Sequence, residues 1–285
     1  MNGGLRAPTD EDVATVARLM SEHWPEPADE ALVRRTWSSP GFDLEHDARL
    51  DDSSYANVDA FGDGRVWIDV RGRPSTDIVD WAEARAREKG SRLLAGGWAS
   101  NEALLHELER RRFRPIRHSH RMTINLSDPT PEPLWPEGIE VRTFRPGDER
   151  AFYETHQETF EDSWEPIEES YDEWAHWTLK PPVFVPDLWF LAIDGDEPAG
   201  VAICYPHRGA SDLGWVQILG VRGPWRKRGL GRALLLHAFA EFRLRGLKRA
   251  GLGVDAESIT GANRLYEQVG MHVAARFDIY EKVVP

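Results

Sequence analysis

The residues best suited to chemistry lie in one run: Val221-Arg222-Gly223-Pro224-Trp225-Arg226-Lys227-Arg228-Gly229-Leu230-Gly231-Arg232-Ala233-Leu234. A tight loop here, opening directly into a helix, turns several backbone N–H groups into one concavity, and the helix N-terminus adds partial positive charge. Gly229 and Gly231 let backbone approach a ligand closely. Arg226, Lys227, Arg228 and Arg232 add formal charge, and Leu230 stands between the two glycines within the same stretch of backbone. The package suits a pyrophosphate.

Other phosphate loops fit less well. A Walker A loop needs Gly-Lys-[Ser/Thr] after its glycines, and no such pair is present. A dinucleotide fingerprint needs Gly at 234, which is Leu. A basic nucleic-acid patch is the remaining competitor, but the cluster is short and broken by two glycines. The chain also carries a formal net charge of -13, which argues against neutralising a phosphate backbone over a broad surface.

Several elements must position this loop. Val216–Gly223 reads as a β-rich run and Gly231–Arg245 as a helix. Arg249–Asp255 reads as a second strand, Gly261–Val269 as a second helix, and Ala275–Val284 as a closing strand. The same order occurs earlier: Val66–Gly72, Ile78–Lys89, Ser91–Ala95, Asn101–Arg111 and Ser119–Leu126. Each half opens with a short strand and a capped amphipathic helix, ending near Trp24 and near Phe160. The Pro-rich segment 127–138 reads as a connector. The expectation is an α/β chain with two tandem domains, 1–126 and 139–285, each a mixed, mostly antiparallel sheet flanked by helices.

With the loop goes a second motif, Val254-Asp255-Ala256-Glu257 followed by Ala262-Asn263-Arg264-Leu265-Tyr266-Glu267-Gln268-Val269-Gly270-Met271. Together they resemble the GCN5-related N-acetyltransferase (GNAT) superfamily. Its pyrophosphate motif, [Q/R]-x-x-G-x-[G/A], matches Arg226-x-x-Gly229-x-Gly231, and its strand–helix ending, A-x-x-L-Y-x-x-x-G-F, is similar to 262–271. The two-copy layout resembles that of tandem members such as mycothiol synthase. The resemblance implies acetyl-coenzyme A (acetyl-CoA) as co-substrate and direct attack by an amine on its thioester. It implies that pantetheine runs beside Leu219 and Val221, with Gly220 accommodating a bulge, and that the pyrophosphate sits on the backbone of Arg226 to Arg232. Asn263 falls where the last helix often contacts the cofactor, and Tyr266 where the family places the acid that protonates the departing thiolate.

The base is less well marked. Trp215 and Gln217 stand where many members carry Glu on the fourth strand. Asp212, Glu158, Asp162, His156 and His176 are further candidates. Residues 151–179 contain Glu154, Glu158, Glu161, Asp162, Glu165, Glu168, Glu169, Asp172 and Glu173, interleaved with Trp164, Tyr171, Trp174 and Trp177, and no Lys or Arg. Carboxylates beside aromatic faces suit a cation, although such a run also serves as a solvated helix face. The expected acceptor is a small cationic primary amine, with Glu158, Asp162, Asp212 and Gln217 as acceptor-side residues. Alternatives are an amino-sugar thiol precursor, as for mycothiol synthase, or a non-catalytic acetyl-CoA-binding module.

The first copy lacks these features. Val70 to Trp81 is about five residues shorter than Val221 to His237, and Leu108 replaces Tyr266. Residues 1–126 are expected to be structural or to shape the acceptor pocket. The single cysteine, Cys204, excludes an internal disulfide and a cysteine-rich metal site. No metal, nucleic-acid or membrane partner is expected. A cytoplasmic monomer or homodimer is the default, because the N-terminus lacks the apolar core of a signal peptide.

Overall fold

A computed structural model describes residues 4–61, 63–127, 130–164, 166, 169–180 and 183–285. The first copy contains α1 (Val13–Ser21), α2 (Glu30–Trp37), α3 (Leu44–Asp47), β1 (Ala48–Leu50), β2 (Ser54–Ala60), β3 (Arg65–Gly72), α4 (Thr76–Lys89), β4 (Arg92–Trp98), α5 (Glu102–Arg110) and β5 (Arg114–Asn125). The second contains β6 (Ile139–Thr143), α6 (Glu149–Phe160), α7 (Tyr171–Thr178), β7 (Trp189–Asp194), β8 (Glu197–Pro206), β9 (Leu213–Val221), α8 (Leu230–Leu244), β10 (Arg249–Asp255), α9 (Ala262–Gln268) and β11 (His272–Val283). The strand expected at Arg249–Asp255 has those bounds, while β5 begins at Arg114, ahead of the expected Ser119.

Contacts divide the chain into residues 1–120 with 275–285, and residues 121–274. The last strand therefore groups with the first unit, apart from the half in which it was expected. The reason is its pairing: Phe277–Val283 of β11 runs antiparallel to Trp98–Arg92 of β4. Tyr280 and Val284 join the first unit's apolar core with Ile68, Ile78 and Leu93.

In the second unit β6, β7, β8 and β9 pair antiparallel in sequence order, and β10 joins β9 in parallel. The alternation of side chains buries both faces. Phe152 on α6, Trp174 on α7 and Trp189, Val201 and Ile218 on the sheet form one core. Leu234, Phe239 and Phe242 on α8 form the other with Phe190 and Val216. Gly214 is demanded by the second packing, since a Cβ there would meet Phe242 Cε2 at 2.6 Å. The connector is tied down at Trp135, whose ring meets His237 edge-on at 5.7 Å.

Strand β9 is irregular in two respects. Ile203 pairs with Ile218, but the next residue, Cys204, pairs with Val216, leaving Gln217 as an extra residue. This bulge lets Val216 face the α8 core and Ile218 the α6 core, which strict alternation would forbid. In addition, β10 pairs with β9 only through Leu213–Val216. Beyond Val216 both strands continue, to Val221 and to Asp255, without pairing to each other.

Candidate functional site

The unpaired end of β9 runs into the glycine loop. Lys227 takes φ 61° and Gly229 φ 88°, on either side of Arg228, whose φ is not positive. Alternating backbone sign turns consecutive N–H groups to one side. Gly229 is the N-cap of α8 and supplies no side-chain cap. The N–H groups of Lys227 to Arg232 donate no hydrogen bond of normal geometry among the described residues, and the first helical bond is Ala233 N–H to Gly229 O at 3.0 Å. A left-handed lysine costs about 1–2 kcal/mol, which an anion on these donors would offset.

The charges around the loop divide into two kinds. Arg226 braces it: Nε donates to Val221 O at 3.0 Å, one terminal nitrogen to Asp162 at 2.5 Å and the other to Thr159 O at 3.4 Å. Arg222 does the same through Glu158 at 2.5 Å and Pro198 O at 3.1 Å. Arg228 reaches Glu137 O at 3.5 Å. Lys227 and Arg232 carry no ion pair among the described residues, and Lys227 is exposed. Glu158 and Asp162 are thus spoken for by arginines. The signal was in the spacing: Glu158 on α6 and Asp162 just beyond its end, four apart, match Arg222 and Arg226, also four apart.

Helix α9 docks beside the loop. A Cβ on Gly231 would lie 3.5 Å from Val221 and 3.6 Å from Leu265, so the three elements converge there. Tyr266 is 7% exposed and packs in the same core as Trp225, Leu230 and Leu234. Its hydroxyl bonds to no described residue. Burial pushes its pKa up to about 12. Asn263 clamps the end of β10, its amide nitrogen donating to Asp255 O at 2.9 Å and Ala256 O at 3.1 Å. Its side-chain oxygen is buried without a donor. The site therefore holds a row of donors needing acceptors at one end and an acceptor needing a donor nearby, the complement of a diphosphate joined to amides.

The strand edge fits the same ligand. Arg222 N–H donates to Ala199 O at 3.0 Å, toward β8. Alternation then turns the N–H and C=O of Leu219 and Val221 the other way, toward the gap left by β10. Gly220 does not carry the bulge. It lies under α6, where a Cβ would sit 2.9 Å from Thr159 Cβ and nearer still to its hydroxyl. The bulge residue is Gln217, exposed, its amide oxygen accepting from Trp215 Nε1 at 2.9 Å and from the Tyr205 hydroxyl at 3.1 Å. Sequence reasoning missed this arrangement, because nothing in the spacing of Tyr205 and Gln217 announces a cross-strand tie.

The other candidates take structural places. Asp212 lies at the opposite end of β9 from the loop and pairs with Arg249 at 2.8 Å, whose hydrogen bond holds its carboxyl below the usual range. Trp174 is core and Glu173 caps α7 through Ser170. His156 is pushed down to about 4 by burial, and His176 is buried with its Nδ1 3.0 Å from Lys180 Nζ. Glu169 is half-buried, pushed up to about 7 by burial and the nearby Glu173 charge. Glu165 and Glu168 lie outside the described residues. Burial raises the Cys204 thiol far from thiolate formation. Among the described residues no cluster could hold a metal ion, and no helix is long and apolar enough to cross a membrane.

Comparison with known proteins agrees with this geometry. Residues 149–271 match the model of the acetyltransferase (GNAT) family. A mycothiol acetyltransferase of Thermobispora bispora is 33% identical over 234 residues, 73% of this chain and 75% of the relative. The chain belongs to the GNAT acetyltransferase family. It is an acyltransferase with two tandem GNAT folds. A GCN5-related N-acetyltransferase from Sphaerobacter thermophilus superposes with TM-score 0.77 at 33% identity, over 98% of this chain and 95% of the other. A tandem GNAT protein from the clavulanic acid biosynthesis pathway superposes with TM-score 0.69 at 15% identity, over 99% and 98%, a likeness of fold. The matched span contains the GNAT loop, the bulged strand and Tyr266, and it ends at Met271, before β11 begins.

Proposed function

We propose that the protein is an N-acetyltransferase that moves the acetyl group of acetyl-CoA directly onto a primary amine of a small molecule. The observation that carries this reading is the break in the sheet beyond Val216, which ends at a loop of unpartnered N–H groups with the Tyr266 helix docked against it. The backbone of Lys227 to Arg232, with the Lys227 and Arg232 side chains, takes the diphosphate, while Arg226 and Arg228 hold the loop in shape. The open edge of Leu219, the Val221 N–H and the free oxygen of Asn263 take the pantetheine amides. The amine nitrogen attacks the thioester carbon, the C–N bond forms and the C–S bond breaks. Tyr266 gives its proton to the departing thiolate and regains one from the proton the nitrogen sheds. A hydroxyl with pKa about 12 is fully protonated at neutral pH, as an acid must be. With Glu158 and Asp162 bound to arginines, the amine enters neutral.

The acceptor follows less from charge than the acidic run suggested, since Trp174 is core, Glu173 is a cap, and Glu158 and Asp162 are held in ion pairs. A second reading, an amino-sugar thiol as acceptor, is favoured by the similarity to relatives named mycothiol acetyltransferase. Acetylated product measured by mass against a panel of amines, including a thiol-bearing amino sugar, tests both, with Tyr266→Phe as control. No product from any amine, despite tight coenzyme A binding, would overturn the proposal.

A further inference from the structure

Gln217 is the bulge residue at the point where β9 leaves β10. An indole N–H can only donate, so the amide atom 2.9 Å from Trp215 Nε1 must be oxygen. The Tyr205 hydroxyl, 3.1 Å away, donates to the same oxygen. With the oxygen held from two sides, the amide nitrogen is turned outward, on an exposed residue, with no acceptor among the described residues. At this place the Gln217 side chain offers a donor.

The register puts that donor near the reacting carbon. From phosphate ester to sulfur, a pantetheine arm has about a dozen chain atoms, the length of about four extended residues. Counted back along β9 from Val221, where the loop begins, that reach ends at Gln217. An oxygen on the carbon next to the amine would meet the amide N–H while the nitrogen faces the thioester. An ammonium in its place would meet another donor.

We propose that Gln217 selects the acceptor, its side-chain N–H binding a hydroxyl vicinal to the reacting amine, so that the preferred substrates are vicinal amino alcohols. This rests on the N-acetyltransferase reading above. Trp215 and Tyr205 are positioning residues that fix which end of the amide faces the substrate.

The test compares 2-aminocyclohexanol with cyclohexylamine, as kcat/KM per neutral amine and as calorimetric affinity for the enzyme bound to coenzyme A, where no transfer occurs. One neutral hydrogen bond gives wild type about a five- to tenfold preference for the amino alcohol in both measurements. Gln217→Ala brings the ratio to about one. Gln217→Glu keeps an acceptor for Trp215 and Tyr205 but turns a second oxygen outward, and its preference shifts toward the protonated amine. Equal or absent binding of the two amines by wild type, or a preference that survives in Gln217→Ala, overturns the proposal. If neither amine is acetylated, the N-acetyltransferase reading is in question, while the binding ratio still decides the role of Gln217.

Discussion

Gly220→Ala is the sharpest test of how the sheet and the loop are joined. The new Cβ would lie 2.9 Å from Thr159 Cβ and 3.0 Å from its Cγ2, with the hydroxyl closer still. Thr159 cannot simply turn aside. Its hydroxyl donates to His156 O at 3.0 Å, and its own carbonyl accepts from Arg226 at 3.4 Å. Relief must come from α6 backing away from β9, and overpacking of this kind costs about 1–3 kcal/mol. The same movement draws Glu158 and Asp162 from Arg222 and Arg226, so the loop loosens and coenzyme A binds more weakly. Urea unfolding midpoints and calorimetric coenzyme A affinity measure the two effects. Thr159→Ala removes the two outer atoms of the clash, so the double variant recovers about 1 kcal/mol and part of the affinity relative to Gly220→Ala. A Gly220→Ala protein as stable as wild type, or a double variant no better than the single one, would refute the reasoning.

Three other outcomes are expected. Tyr266→Phe lowers kcat by about 10²–10⁴-fold with little change in coenzyme A affinity, and the wild-type rate shows no alkaline fall centred on an ordinary tyrosine pKa of about 10, because burial holds this one near 12. Asp59→Asn stabilises the protein by about 1–3 kcal/mol at pH 7 and not at pH 4. Burial and Asp69 raise the Asp59 carboxyl to about 6, so the folded chain keeps a proton the unfolded chain has released, and stability falls as pH rises from about 4 to 6; denaturation midpoints across that range check it. Equilibrium dialysis finds one acetyl-CoA per chain, and two would show that the first copy also binds it.

The loop and its flanking elements were legible because their signals are local. Gly229 and Gly231, the basic residues and the apolar face of α8 lie within one stretch of chain. The same is true of β10, whose bounds came out as read. What was not legible depends on pairing across the sheet. Gln217 becomes the bulge only because Cys204 pairs with Val216, and its amide is fixed only because Tyr205 comes to lie opposite Trp215. The acidic run misled for a related reason. Composition shows nine carboxylates with no Lys or Arg among them, yet the cations that pair with Glu158 and Asp162, Arg222 and Arg226, arrive from far along the chain. The place of β11 was hidden likewise, since an alternating strand does not state which edge it will extend.

The two copies show how little backbone need change to remove a phosphate site. In the first, β3 ends at Gly72 and α4 opens at Thr76, with Ser75 as N-cap. The Ser75 side chain accepts from Ile78 N–H at 3.2 Å, so the helix satisfies one of its own donors. The Ser75 hydroxyl in turn donates to Asp51 at 2.5 Å, and Asp51 also accepts from Ser53 and Ser54 N–H at 2.8 and 2.7 Å. Burial alone would raise this carboxyl, but the hydrogen bonds from Ser75, Ser53 and Ser54 outweigh it and hold Asp51 ionised. A negative charge already occupies the positive end of the helix dipole, where a diphosphate would have to go. In the second copy Gly229 stands in place of the capping serine, no side chain serves the first turn, and the positive end stays open. One helix start is closed by its own sequence and the other is left for a ligand, which is the physical basis for assigning the anion to the second copy alone.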